Sequence, residues 1–196
     1  MRKRLSITKS AVFDISSSKL WEVISQPGNL NNSHPFCKSN EVINWENEER
    51  SDRLIYLNGL DYIRTFKTWD EGSGYTLEIG KKGGSQSYVI WEIESLGVNS
   101  SRLIITVYPY LLDWLPNFLA FIPHRIWVKP RLESYLNSVI SGFHYYIKEG
   151  KKSAFMCGHD IAVAEIEIMI STSSTEDIEL INSLEIPDLE PLDSND

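Results

Sequence analysis

The sequence predicts an α+β domain in which a curved antiparallel sheet wraps around one long helix. The first observation is a run of short strands over residues 41–110, separated by glycine-containing turns that suit hairpins. The second is a stretch over residues 130–148 in which apolar side chains recur at helical spacing. Successive hairpins form an antiparallel meander, so the main enclosed space is expected between that sheet and that helix.

A strand and two short helical segments are predicted before the meander. Alternation of apolar and polar residues over 5–13 indicates a strand with one buried face. Asp14 or one of the serines at 16–18 can cap a short helix, which Pro27-Gly28 ends. Residues 29–36 then continue as an irregular or second short helical segment.

The meander and the closing helix complete the predicted fold. Pro130 suits the first turn of the helix, and Lys148 followed by Gly150 suits its C-terminus. The apolar face of this helix needs a cover, which the sheet can supply. The six strands of the meander are predicted at residues 41–47, 53–60, 62–69, 75–81, 87–95 and 102–108.

Length and charge limit the function. The chain has 196 residues and a net charge of -8, which is enough for one domain plus a tail. Residues 171–196 contain eight acidic residues and no Lys or Arg, so residues 1–170 are neutral overall. A nucleic-acid footprint needs a net basic face, and we therefore expect no nucleic-acid partner. No continuous apolar run typical of a signal peptide opens the chain, so a cytoplasmic location is expected.

Cysteines and known motifs favour neither a metal nor a cofactor. Cys37 and Cys157 are too few and too far apart for a disulfide framework or a metal motif. His34 precedes Cys37 by three residues, but no second pair lies near them, and a loop with a partly buried thiol is the favoured interpretation. Phosphate loops, dinucleotide glycine fingerprints and nucleophile triads are absent from the sequence.

Three regions divide the chain. Residues 1–152 are predicted to form the main domain. Residues 153–170 show some apolar alternation, which indicates an extra strand or a docked segment. Residues 171–196 are acidic, contain two prolines and lack aromatic residues, which is the composition of a disordered tail.

Several motifs between Ser6 and Gly150 follow this order of elements, and they include Trp21, Asn29-Leu30, His34-Pro35, Trp45, Asn58-Gly59, Tyr62, Arg64, Trp69, Gly74-Tyr75, Trp91, Pro130, Tyr135-Leu136, Val139 and Gly142-Phe143. In these motifs the sequence resembles the START-like superfamily, also called SRPBCC. That superfamily includes polyketide cyclase/dehydrase-type proteins, lipid-transfer START domains and birch-pollen-allergen-like proteins. The resemblance implies the helix-grip fold and an apolar cavity between the concave sheet and the long helix. It implies no single reaction, because binders, carriers and enzymes share this scaffold.

A hydrophobic or aromatic small molecule, such as a lipid or polyketide-like compound, is the ligand that this cavity is expected to bind. Strand alternation directs nine apolar residues inward, namely Tyr75, Leu77, Ile79, Val89, Trp91, Ile93, Leu103, Ile105 and Val107. The candidate ligand contacts are Tyr56, Tyr62, Arg64, Tyr75, Trp91, Tyr108, Val139, Ile140 and Phe143.

Two residues are candidates for catalysis if the protein is instead a cyclase- or dehydratase-like enzyme that uses acid–base chemistry. Arg64 on the concave face can hold a carboxylate or enolate oxygen, whereas on the convex face it would pair with Glu78 or Glu92. His144 lies at the margin of the helix's apolar face. It can supply a proton near neutral pH, or it can be a border residue with a structural role only.

Residues 111–128 form an apolar segment between the last strand and the closing helix. The segment has no charge over 114–123 and is too short and too proline-broken to span a bilayer. It can be a lid packed over the cavity, a surface that touches a membrane during ligand exchange, or an interface with another protein. A protein-interaction role is therefore a third hypothesis, and the oligomeric state stays open. The lid candidates are Trp114, Phe118 and Phe121.

Overall fold

A computed structural model describes residues 5–46, 49–110 and 124–150. Within these residues the chain forms one seven-stranded antiparallel sheet, three α-helices and one π-helical turn. The sheet curves around the C-terminal helix, and the two shorter helices follow the first strand. The predicted α+β helix-grip architecture is confirmed.

The strands pair in the order β1-β7-β6-β5-β4-β3-β2, so β2 to β7 form a meander and β1 pairs with its last strand. The strands are β1 Ile7–Phe13, β2 Cys37–Asn44, β3 Ser51–Tyr56, β4 Asp61–Asp70, β5 Gly74–Gly80, β6 Gln86–Gly97 and β7 Ser100–Tyr108. The helices are α1 Ser17–Ser25, α2 Leu30–Ser33 and α3 Lys129–Glu149, the last preceded by the π-helical turn His124–Val128.

Helices α1 and α2 carry the chain from one edge of the sheet to the other. Among the predicted caps, Ser16 is the one used: its side-chain oxygen accepts a hydrogen bond from the backbone N–H of Lys19 (3.3 Å). The buried side chains of α1 are Leu20, Trp21 and Ile24. This apolar face holds the helix on the sheet and links β1 to the opposite edge strand, β2.

The turn after β3 sets the register of the β3–β4 hairpin. The N–H of Tyr56 donates to the carbonyl of Leu60 (2.8 Å), and Gly59 adopts a φ of +86° that other residues rarely take. Strand β3 therefore ends at Tyr56, four residues earlier than predicted. The same register places Asp52 directly opposite Arg64 on β4.

Strand β2 begins at Cys37, four residues earlier than predicted, and the Cys37 thiol is buried in the strand rather than held in a loop. Pairing with β3 explains the early start, because Cys37 lies opposite Tyr56. On the other side of β2, the Asn31 amide donates to the carbonyl of Asn40 and the Asn31 side-chain oxygen accepts from the N–H of Asn40, both at 2.8 Å. Asn31 thus replaces a neighbouring strand at this edge of the sheet.

Helix α3 agrees with its prediction to within one residue at each end. Gly150 ends it in the left-handed region at a φ of +62°, and its N–H donates to the carbonyl of Tyr146 (2.9 Å). The buried residues of α3 are Leu132, Leu136, Val139, Ile140, Gly142 and Phe143.

All nine strand residues that alternation directed inward lie in the core. Seven of them are buried, and Ile79 and Ile93 are partly buried against the same core. This confirms that the period of two identifies the concave face of β5, β6 and β7.

The lid segment 111–123 and the regions 153–170 and 171–196 lie outside the described residues. Their predicted roles, and the division into three regions, stay predictions. No helix in the described part of the chain has the length and apolar character needed to cross a bilayer.

Candidate functional site

A cavity of about 90 Å³ lies between the concave face of the sheet and α3. Most of the wall that the described residues form is apolar, and four polar side chains contribute to it. An apolar chamber with a few polar groups is the usual form of a small-molecule site. Among the described residues the apolar wall consists of Leu30, Leu54, Leu77, Ile79, Val89, Trp91, Ile105, Val107, Leu132, Leu136 and Val139, and the polar residues are His34, Tyr56, Arg64 and Tyr135.

Three of the polar side chains form a hydrogen-bonded chain. His34 Nδ1 accepts from the backbone N–H of Phe36 (3.2 Å), and Nε2 lies 2.8 Å from the hydroxyl of Tyr135. The Tyr135 hydroxyl lies 3.3 Å from that of Tyr56. Because Nδ1 is used as an acceptor, the neutral imidazole carries its proton on Nε2 and donates it to Tyr135.

Burial keeps these three groups uncharged at neutral pH. Burial, together with the positive charge of Arg64, lowers the pKa of His34 to about 3. Burial also raises the pKa of Tyr135 to about 12. The pKa of Tyr56 is raised well above its ordinary value, first by burial and then by the neighbouring Tyr135. These three side chains therefore donate hydrogen bonds but do not exchange protons near pH 7.

The depressed pKa of His34 predicts a pH dependence of stability. The unfolded chain holds a proton on this ring below its ordinary pKa of 6.5, whereas the native ring stays neutral down to about pH 3. His34 therefore leaves the free energy of unfolding unchanged above pH 6.5. As the pH falls from 6.5 toward 3, the unfolded state gains a proton that the native state does not, and the free energy of unfolding falls by up to about 1.4 kcal/mol per pH unit. Urea unfolding between pH 4 and pH 8 measures it.

The carboxylates of the protein also respond to acid, so the slope must be compared between variants. His34→Gln should unfold with a shallower dependence on pH between 4 and 6.5. The control is His144→Gln, which removes an exposed imidazole and should change the slope less. Equal slopes for the two variants would show that His34 is not held neutral.

Arg64 and Asp52 form a buried ion pair beside this chain, with side chains 3% and 0% exposed. Arg64 Nε donates to Asp52 Oδ1 (2.7 Å) and Nη2 donates to Oδ2 (2.5 Å). The side-chain oxygens of Asn29 and Asn40 also lie near Nη2, at 3.5 and 3.4 Å. Burial opposes the charge of Arg64, but the Asp52 carboxylate outweighs it, and the pKa of Arg64 is raised.

The concave position predicted for Arg64 is correct, and its side chain lines the cavity. Its charge is balanced by Asp52, a partner that neither alternative included, and its contact with a ligand oxygen stays a prediction. The convex-face partner Glu78 pairs instead with Lys67 (2.8 Å), and Glu92 is exposed. The ion pair was missed because only Glu78 and Glu92 were considered as partners.

Eight of the nine predicted ligand contacts divide into two groups. Trp91, Val139, Tyr56 and Arg64 line the cavity, and their contact with a ligand stays a prediction. The remaining inward residues are buried in the core outside the cavity wall. They are Tyr62, Tyr75, Ile140 and Phe143.

Tyr108 was wrongly placed in the cavity. It lies on the convex face directly opposite Tyr88, with ring centroids 6.1 Å apart. Side chains alternate along a strand, and the preceding residue, Val107, lines the cavity. Tyr108 therefore has to point the other way.

Of the two alternatives for His144, the structure favours the border residue with a structural role. Its ring is exposed at the margin of α3 and stacks on Phe13, with centroids 4.0 Å apart. Partial burial lowers its pKa, although the charge of Asp14 acts in the opposite direction. His144 lies outside the cavity wall and is a border residue with a packing role.

Sequence reasoning missed Tyr135 and Asp52 as parts of the site. Tyr135 lies three residues after Leu132 and four before Val139, so helical spacing alone places it on the buried face. Asp52 has the same strand parity as Leu54, so the buried face of β3 includes it. Both signals were present in the sequence.

The lid candidates Trp114, Phe118 and Phe121 lie outside the described residues, so their role stays a prediction. Within the described ranges, no three His, Cys, Asp or Glu side chains are grouped so that they could hold a metal ion. The expectation that the protein uses no metal and no cofactor is not tested by this finding and also stays a prediction.

No protein-family model and no curated protein matches this sequence. Solved structures do match. DynU16, from the dynemicin biosynthetic locus, is 12% identical over 76% of this chain and 49% of its own, with a TM-score of 0.57. BexL, a di-domain ARO/CYC from the BE-7585A biosynthetic pathway, is 8% identical over 74% of this chain and 46% of its own, with a TM-score of 0.58. A START superfamily protein from Mycobacterium smegmatis is 14% identical over 74% of this chain and 97% of its own, with a TM-score of 0.57.

These likenesses establish the fold. The chain has the START-like helix-grip fold, as its sequence motifs suggested. It spans about half the length of DynU16 and of BexL, and most of the length of the mycobacterial protein. At such low identities the likenesses carry no residue role from these proteins to this one.

Proposed function

We propose that this protein binds a compact, mainly apolar small molecule in the cavity between the sheet and α3. The cavity itself carries the proposal. Protein interiors pack densely and contain few voids larger than a water molecule. Leaving a space of about 90 Å³ in a core empty would cost about 2 kcal/mol of stability at roughly 24 cal/mol per Å³. Binding of a ligand would offset that cost.

The volume limits the size of the ligand. Pockets for drug-sized molecules measure about 300–1,000 Å³, and an engineered apolar cavity of about 150 Å³ holds one benzene ring. The space bounded by the described residues, about 90 Å³, suits a compact molecule or one end of a longer lipid or polyketide-like molecule.

The protonation of the site supports binding more than cyclase- or dehydratase-like catalysis. Efficient acid–base catalysis needs a group whose pKa lies near the working pH. The pKa of His34 is about 3 and that of Tyr135 about 12, and the guanidinium of Arg64 is balanced by Asp52. These groups can orient a polar ligand atom without exchanging protons. The protein-interaction hypothesis gains no support from this cavity.

Val139→Phe should abolish binding. Val139 is 2% exposed and lines the cavity from α3, so a larger side chain should occupy the space that the ligand needs. We expect at least a tenfold loss of affinity for two small probes, methylcyclopentane and cyclopentanone. Saturation-transfer NMR measures the binding, and thermal unfolding checks that the variant is folded.

The matched control is Val42→Phe, the same change at a residue that is 46% exposed on edge strand β2. Its affinity for both probes should equal that of the unchanged protein. Probe binding that survives Val139→Phe in a folded protein would place the ligand site elsewhere.

We also propose that the ligand reaches the cavity past residues 111–128 during transient contact with a membrane surface. The described end of this segment supports the proposal, because Arg125, Ile126 and Lys129 are exposed there, Ile126 to 60%. The sequence just before them is rich in aromatic residues. Each basic residue near an anionic bilayer contributes about 1 kcal/mol of attraction.

Co-sedimentation with vesicles tests this contact. The protein should bind phosphatidylserine-containing vesicles several-fold better than pure phosphatidylcholine vesicles, and Arg125→Glu/Lys129→Glu should remove the difference. The control Lys81→Glu/Lys82→Glu makes the same charge change in the exposed β5–β6 turn and should leave binding largely unchanged. No preference for anionic vesicles, or equal losses in both variants, would refute the contact.

A further inference from the structure

The hydrogen-bonded side chains of His34, Tyr135 and Tyr56 at the polar end of the cavity carry one donor proton more than the hydrogen bonds between them require. His34 Nε2, the Tyr135 hydroxyl and the Tyr56 hydroxyl each carry one proton. The two links between these groups use one proton each. One hydroxyl proton, on Tyr56 or on Tyr135, is therefore left to be donated outside the chain. Both tyrosines line the cavity, so a ligand atom there can accept it.

Arg64 adds further donors at the same end of the cavity. Its Nε and Nη2 groups are used by Asp52, Asn29 and Asn40. Its Nη1, which carries two more N–H groups, makes none of these hydrogen bonds. The polar end of the cavity therefore has more hydrogen-bond donors than these hydrogen bonds use.

The net charge of this end is close to zero. The charge of Arg64 is balanced by Asp52, and His34, Tyr56 and Tyr135 are neutral at pH 7. An ion entering an apolar cavity loses its hydration, and no unbalanced protein charge is present among the described residues to replace it. A neutral acceptor avoids this loss and still satisfies the spare donors.

We propose that the ligand presents an uncharged acceptor oxygen, a carbonyl group on a compact apolar skeleton, to Tyr56 and Tyr135. The site should reject the ammonium and carboxylate forms of the same skeleton. An ammonium group would bring donors to a site that already has unused donors. A carboxylate would bring a charge that Arg64, already paired with Asp52, does not balance. This inference rests on the proposed binding function and adds the chemistry of the ligand's polar group.

A probe series on the unchanged protein tests the inference at pH 7.5. The four probes share a five-membered ring and are methylcyclopentane, cyclopentanone, cyclopentylammonium and cyclopentanecarboxylate. A neutral hydrogen bond contributes about 0.5–1.5 kcal/mol, so the ketone should bind about three- to tenfold more tightly than the hydrocarbon. The two ions should bind at least tenfold more weakly than the ketone. Calorimetry or saturation-transfer NMR measures all four.

A double variant assigns the ketone preference to the two hydroxyls. Tyr56→Phe/Tyr135→Phe should lower affinity for cyclopentanone about three- to tenfold and change that for methylcyclopentane by less than twofold. The matched control is Tyr88→Phe/Tyr108→Phe on the convex face, which should change neither. The series on the unchanged protein decides the question even if the double variant does not fold.

The outcomes separate this inference from the function on which it rests. Failure of all four probes to bind would refute the proposed function. Equal binding of ketone and hydrocarbon would leave that function standing and refute the preference for a carbonyl. Tightest binding of the carboxylate would overturn the inference and make Arg64 an anion-binding residue.

Discussion

Replacing Arg64 with methionine should lower the free energy of unfolding by about 3–5 kcal/mol, because the carboxylate of Asp52 is left buried without its partner. Asp52 is fully buried, and both of its oxygens accept hydrogen bonds from Arg64. The oxygens of Asn29 and Asn40 would lose a donor as well. Urea unfolding at pH 7 measures the loss.

Strand β4 provides the matched control. Lys67 lies on the opposite face of the same strand and pairs with Glu78 at 2.8 Å, with both side chains more than 40% exposed. An exposed ion pair contributes about 0–1 kcal/mol, so Lys67→Met should have a small effect. If Arg64→Met lowers the free energy of unfolding by no more than Lys67→Met does, the buried ion pair does not stabilise the fold more than an exposed one.

A second variant separates the unpaired charge from lost packing. Arg64→Met/Asp52→Leu removes both charges, and apolar replacements of a buried ion pair are often close to neutral in stability. Most of the loss in Arg64→Met should therefore be recovered. This matters for any search for enzymatic activity, because an inactive Arg64 variant would otherwise be mistaken for the loss of a catalytic group.

Phe143→Ala should cost about 3–5 kcal/mol, the usual range for removing a large aromatic side chain from a core. Phe143 is fully buried on α3 and packs edge-on against Trp91, with ring centroids 5.5 Å apart. Trp91 in turn lines the cavity. The loss should appear as a lower urea midpoint, and weaker binding of cyclopentanone should accompany it because the wall of the cavity is no longer supported.

Leu96→Ala is the control for this truncation. Leu96 is 45% exposed near the end of β6, and surface substitutions usually change stability by less than about 0.5 kcal/mol. A loss below about 1 kcal/mol for Phe143→Ala would mean that α3 is not held on the sheet by this contact.

The arrangement of elements could be predicted because it depends on local patterns. Helical spacing identified α3 to within one residue at each end, since one face of a helix repeats about every 3.6 residues. The period of two in β5, β6 and β7 identified the concave face for the same kind of reason. Strand ends were less accurate, because β3 ends where the Gly59 turn begins and β2 starts where Cys37 pairs with Tyr56.

The parity of single residues was also present in the sequence but was not used consistently. Tyr108 was placed in the cavity although the neighbouring Val107 was already directed inward. Asp52 was not considered as a partner of Arg64, although the hairpin turn between them determines that they are opposite. These errors came from judging residues by their chemistry before their position in the strand.

By itself the sequence determined the layers of this protein, its inward faces and its resemblance to the START-like fold, because periodicity and turns act over a few residues. Only the tertiary structure decided which polar groups meet. His34 and Tyr135 are 101 positions apart, and Tyr56 and Tyr135 are 79 apart, so their hydrogen bonds exist only because α3 closes over β3 and the loop after α2. The protonation of His34 depends on burial and on the charge of Arg64, which are properties of the packed chain.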